Sequence, residues 1–154
     1  MSRAARIVIF LATGCYAGKL PFAPGTFGSL AALPLCWLLA QLGRPTAILA
    51  TVLIIAGAVW VAGAAERLLQ QRDPGSIVID EIAGMLVTFS GLSFTPFSAA
   101  AGFVLFRVLD IAKPFPIGWA EKRLKGGVGI VADDLIAGVM ANLGCRLLLA
   151  LWGG

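Results

Sequence analysis

Apolar residues fall in long blocks along this chain, separated by short polar stretches. Residues 46–65 run for twenty positions without a charge. That is the clearest segment of bilayer-spanning length, since a membrane helix needs about 20 apolar residues. Within it Ala58 and Ala62 recur four apart, a small-residue face suited to close helix contact. Residues 28–42 predict a shorter apolar helix containing Pro34, and Gly43-Arg44-Pro45 punctuates a turn after it. A helix from Ile77 to about Ser93 opens with Asp80 and Glu81. Thr95-Pro96 starts another over about 97–112, closing with Arg107, Asp110 and Lys113. The last helix is predicted from Asp133 to Trp152. Residues 3–14 are apolar but too short to span, and read as an interfacial or re-entrant helix. The segments between are polar: a Gly/Pro-rich loop over 14–29, a loop over 66–76, and a long one over 113–132. The last of these contains Gly126-Gly127-Val128-Gly129, either a flexible connector or a backbone cradle.

Composition turns this pattern into a class. Hydrophobic residues make up 59% of the 154, charged residues 13%, and the mean hydropathy is +0.93. Soluble domains carry about 25% charged residues, so the expectation is an all-α integral membrane bundle. It would have about four spanning helices plus the short N-terminal one, in a single domain over residues 1–154. Arg3 and Arg6 before Ile7–Ala12 imitate a signal peptide, but the apolar run is short and leads into the Gly/Pro-rich loop, so no cleavage is expected. Cys15, Cys36 and Cys145 are odd in number and far apart, and read as buried apolar residues. Trp37, Trp60, Trp119 and Trp152 read as interface or packing residues.

The net charge of +4 gathers near segment ends, and no basic stripe with interleaved aromatics points to nucleic acid. Placing the N-terminus and the 66–76 and 113–132 loops inside collects Arg3, Arg6, Lys19, Arg67, Arg72, Lys113, Lys122, Arg123 and Lys125 on the cytoplasmic side. Asp80-Glu81 then begins an outgoing helix, Asp110 ends an incoming one, and Asp133-Asp134 begins another outgoing one. Five of the eight acidic residues therefore come to one depth, near the cytoplasmic interface.

Carboxylates beside hydrocarbon are costly and repel one another, which points to a bound cation. An oxygen-only set suits Mg²⁺, and a chain with no histidine and scattered cysteines does not suit zinc. Asp80, Glu81, Asp110 and Asp134 are the candidate metal ligands. Asp80, Glu81, Asp110, Asp133 and Asp134 are the candidate catalytic residues. Gly84 and Ala137, one turn beyond the acid pairs, would let neighbouring helices approach closely enough to share an ion. Each acid pair on its own could equally cap a helix and complement its dipole. In the 21–29 loop, Gly25 offers backbone N–H groups to an anion, and Thr26 and Ser29 offer hydroxyls; an ordinary capped turn is the plainer reading.

Four blocks in order, FAPGTFGSL (Phe22–Leu30), DPGSIVIDEIAG (Asp73–Gly84), FRVLDIAKPFPI (Phe106–Ile117) and GGVGIVADDLIAG (Gly126–Gly138), resemble the phosphatidylglycerophosphatase A family of bacterial membrane lipid phosphatases. The resemblance spans roughly Gly14 to Asn142. It implies a Mg²⁺-dependent enzyme of the inner membrane that removes the terminal phosphate of phosphatidylglycerophosphate, a membrane phospholipid, at a multi-pass site facing the cytoplasm. It also implies that Arg107 and Lys113 meet the phosphate. An ion-coupled transporter is the alternative, but its acids belong near the midplane in paired repeats. A CDP-alcohol phosphotransferase lacks its D-G-x2-A-R signature here.

Overall fold

The computed structural model describes residues 1–152, and among them it contains helices and no strand. In chain order these are α1 (Arg3–Ala12), a single 3-10 turn (Ala17–Lys19), α2 (Pro24–Ala40), α3 (Arg44–Leu69), α4 (Ile79–Phe89), α5 (Pro96–Ala112), α6 (Ile117–Arg123) and α7 (Gly126–Trp152).

Local chemistry sets several of these ends. The Ser2 side chain accepts the Ala5 N–H at 3.2 Å and starts α1, whose Ala5, Val8, Ile9 and Ala12 form one buried face. Thr95 and Ser98 form a reciprocal capping box at the start of α5, with Pro96 inside the first turn. Lys113, in the left-handed region at φ 45°, ends α5, and Pro114 follows it.

Two polar stretches are more helical than their composition predicts. α2 begins at Pro24, so Gly25, Thr26 and Gly28 lie in helical turns rather than in a loop running to residue 29. The 113–132 stretch holds all of α6 and the first two turns of α7. Asp133 and Asp134 therefore lie about two turns inside α7, not at its start. The Gly126–Gly129 run is not a flexible connector. It is helix, and a Cβ on Gly127 would run into the Val59 carbonyl and lie 2.9 Å from the Gly63 nitrogen. Glycine there allows α7 to cross α3 at backbone distance.

The centre of the fold is α7, which packs against α3, α4, α5 and α6. Its crossing with α4 is as close: a Cβ on Gly138 would collide with the Gly84 carbonyl, and one on Gly84 would lie 2.7 Å from the Asp134 carbonyl oxygen. Where lipid surrounds helices, association depends on such small-residue contacts, because no hydrophobic drive separates helix from lipid tail. Ala58 and Ala62 are buried, at 2% and 0% exposure, as the spacing predicts.

The outside of the bundle is apolar. Leu49, Val52, Leu53 and Trp60 on α3, Val104, Val108 and Ile111 on α5, and Val139, Leu143 and Leu147 on α7 are all exposed. The two longest helices, α3 and α7, are long and apolar enough to cross a bilayer, and only 33% and 22% of their apolar windows are buried. The core helix of a soluble protein would be mostly covered. These features are those of a membrane protein. By contrast, α2 and α5 have 17 residues each and α4 has 11, so two helices, not four, reach full spanning length. Of the three cysteines, Cys36 and Cys145 are buried as expected, whereas Cys15 is exposed. All four tryptophans are exposed, which assigns none of them to core packing.

Candidate active site

The glycine-mediated crossing of α4 and α7 sets the acid pairs against each other. Asp80 and Glu81 occupy the first turn of α4, yet the N-cap is Val78 and no side chain caps this helix. Asp80 is 9% exposed, and its Oδ1 has no hydrogen-bond partner; neither has Glu81 Oε2. Helix capping therefore does not account for this pair. Asp133 and Asp134, inside α7, are 6% and 3% exposed. One carboxylate oxygen from each of Asp80, Glu81 and Asp134 lies within 4.8 Å of the others. Asp110, Asp133 and Asp134 form a second such group. All five acids read from the sequence thus come together from three helices, with Asp134 common to both groups.

Two basic side chains contact this cluster. Arg107 Nη1 donates to Asp110 Oδ2 at 2.7 Å, one turn along α5, and to Ser29 Oγ at 3.4 Å. Ser29 is fully buried and donates its own proton to the Gly25 carbonyl at 2.8 Å. Its hydroxyl therefore braces Arg107 and is committed within the protein. A Cβ on Gly25 would collide with Glu81 Oε1 and lie 3.2 Å from Arg107 Nη1. Gly25 thus lets α2 approach the carboxylates. Thr26 is half-buried in the same turn, and its hydroxyl joins none of these hydrogen bonds.

Lys113 lies just past α5 and does not pair with Asp110. Its Nζ donates to Asp133 Oδ2 at 2.8 Å and to Glu121 Oε1 at 2.7 Å. Burial works against its charge, but the hydrogen bonds to Asp133 and Glu121 outweigh it and hold the ammonium above the ordinary lysine pKa. Glu121, on α6, was not among the residues singled out from the sequence. It stands eight residues from Lys113 across the Pro114–Pro116 turn between α5 and α6, so no local pattern signals the pair. Lys19 lies elsewhere, its ammonium 4.7 Å from the centre of the Tyr16 ring.

The donor set consists of carboxylate oxygens, and among the described residues the groups able to hold a metal contain only Asp and Glu. With buried oxygens left unpartnered, this set fits a hard, oxygen-seeking divalent cation such as Mg²⁺. A separate cavity of about 220 Å³, lined in part by Cys36, Arg44, Thr51 and Phe89, contains none of these acids.

Known proteins share most of this chain. A family model described as Phosphatidylglycerophosphatase A matches residues 10–149. A phosphatidylglycerophosphatase A from Escherichia coli K12 is 41% identical over 132 residues, covering 85% of this chain and 77% of that protein. One from Haemophilus influenzae Rd is 35% identical over 133 residues, covering 85% and 82%. A Bacteroides thetaiotaomicron protein, provisionally named a phosphatidylinositol-3-phosphatase, is 34% identical over 148 residues, covering 90% and 91%. No solved structure matches.

Proposed function

The chain belongs to the phosphatidylglycerophosphatase A family and is a phosphatase, and from that premise we propose that it hydrolyses the terminal phosphate monoester of phosphatidylglycerophosphate. The products are phosphatidylglycerol and inorganic phosphate. The observation that supports this best is the meeting of unpartnered, buried carboxylates with an arginine held over them.

In this reading Asp80, Glu81 and Asp134 would hold Mg²⁺, with Asp110 or Asp133 as a further ligand. The ion supplies charge neutralisation to the phosphate oxygens. Arg107 is fixed by Asp110 and Ser29, while its Nε is buried without a partner and so keeps a donor for a phosphate oxygen. Lys113 adds positive charge at the edge of the site and holds Asp133 in place. A carboxylate of the cluster orients the attacking water and takes its proton, a role histidine cannot fill in a chain that has none. The new bond joins water oxygen to phosphorus. The bond that breaks leads to the glycerol oxygen, which leaves with a proton.

The same reading makes the protein a multi-pass protein of the bacterial inner membrane with its site toward the cytoplasm. The basic residues around α6, together with Arg67 and Arg72, support that orientation. At about 1.5 Å per residue, 17-residue α2 and α5 reach roughly 26 Å, close to the hydrocarbon thickness, so they come near to spanning beside α3 and α7. Purified protein in detergent should release phosphate from phosphatidylglycerophosphate in Mg²⁺ and stop in EDTA. No release in any divalent cation, or full release in EDTA, would overturn the assignment.

A further inference from the structure

Asp134 is the one residue shared by the two carboxylate groups, Asp80-Glu81-Asp134 and Asp110-Asp133-Asp134. We infer that the site takes two divalent cations side by side, with Asp134 as the carboxylate bridging them. The inference rests on the reading that this cluster binds a divalent cation at all.

Three observations carry it. First, the shared residue is the most buried of the five, at 3% exposure, and none of the hydrogen bonds from Arg107 or Lys113 reaches it. A carboxylate has two oxygens, and a fully desolvated one at the junction of two groups can give one to each neighbour. Second, Asp110 and Asp133 each spend Oδ2 on a cationic side chain, at 2.7 and 2.8 Å. Each keeps Oδ1 for another ligand. On the other side, Asp80 is nine-tenths buried and its Oδ1 has no partner, and Glu81 Oε2 also lacks one. The two groups therefore offer oxygens independently, from α4 on one side and from α5 on the other. Third, charge favours more than one ion. The acids of the two groups, Asp80, Glu81, Asp110, Asp133 and Asp134, bring five negative charges when ionised, against Arg107 and Lys113. One divalent cation would leave one of the remaining three uncompensated, and a second would make the site net positive toward an anionic phosphate.

Paired divalent ions sharing a carboxylate are spectroscopically distinct from one ion, and Mn²⁺ reports both number and coupling. The full-length protein in detergent, titrated with Mn²⁺ alone, should bind two ions per chain and give the exchange-coupled spectrum of a bridged pair. Asp134→Asn should abolish the coupling. Asp80→Asn and Asp110→Asn should each leave a single, uncoupled ion, at opposite ends of the cluster. Helical content and elution volume identify any variant that has not folded, and the wild-type count decides the question without variants. One Mn²⁺ per wild-type chain, with the spectrum of an isolated ion, would overturn the bridged pair and leave the single-ion reading intact. No Mn²⁺ bound at all would overturn both.

Discussion

The two halves of the acidic cluster use one residue type in opposite ways. On the α5 side, Asp110 and Asp133 are held by Arg107 and Lys113, so these charges are offset within the protein. On the α4 side, Asp80 is buried and Glu81 half-buried, yet oxygens of both lack any partner. Leaving a buried polar oxygen unmade costs about 1–3 kcal/mol, and more for a charge. The paired half can hold its shape alone. The unpaired half carries a desolvation cost that a bound cation would relieve. The difference separates acids that build the site from acids that need its ligand.

The largest effect expected is on turnover. Asp80→Asn or Asp134→Asn keeps the shape and removes one charge, and should lower phosphate release by at least roughly 10³-fold while helical content stays unchanged. Near-normal activity in either purified variant would erase the distinction between the halves. Gly25→Ala comes next. Its methyl group would press on Glu81 and on Arg107, which lies 3.2 Å from the Cβ position, so activity should fall about 100-fold with little change in melting temperature.

Stability sharpens the comparison, because the two halves should respond with opposite signs. In EDTA, Asp80→Asn relieves repulsion among unpaired carboxylates and should raise the melting temperature. Asp110→Asn strips Arg107 of its anionic partner and should lower it, with a stability loss on the order of 1 kcal/mol for these partly exposed groups. Adding Mg²⁺ should then stabilise wild type more than Asp80→Asn, as expected for an ion that binds the folded state. If both substitutions shift stability in EDTA the same way, the contrast is wrong.

The smallest effect concerns Lys113. Its folded-state pKa lies above the ordinary value of about 10.4, so its stabilisation is complete below that pH and is lost only as pH climbs through the raised value. The stability lost in Lys113→Met, about 1 kcal/mol, should therefore be the same at pH 6 and pH 9. A loss that shrinks between those values in thermal unfolding would show that the ammonium is not held by Asp133 and Glu121.

Much of this protein is legible in its sequence because hydrophobic patterning and residue scarcity are local properties. The uncharged run within α3, the Thr95-Pro96 start of α5 and the five acids among only eight can each be read without a fold. Helix boundaries in the Gly-rich stretches were not legible. Glycine lowers helix propensity, and the reason for tolerating it at Gly25, Gly127 and Gly138 is a partner backbone or side chain distant in the chain. The same holds for Ser29. Its hydroxyl invites a phosphate on paper, yet it binds Gly25 and Arg107 once α2 meets α5.

By itself, then, the sequence determined the helical membrane class, the oxygen-only chemistry and the identity of the acids, since each follows from which side chains are present and how they repeat. Only the tertiary structure decided which acids are paired and which stand alone, that Lys113 answers Asp133 and Glu121 rather than Asp110, and that Asp134 lies in both groups. Those outcomes depend on distances between helices far apart in the chain. Interhelical distance is set where glycine meets backbone, and no local pattern records which two surfaces will meet.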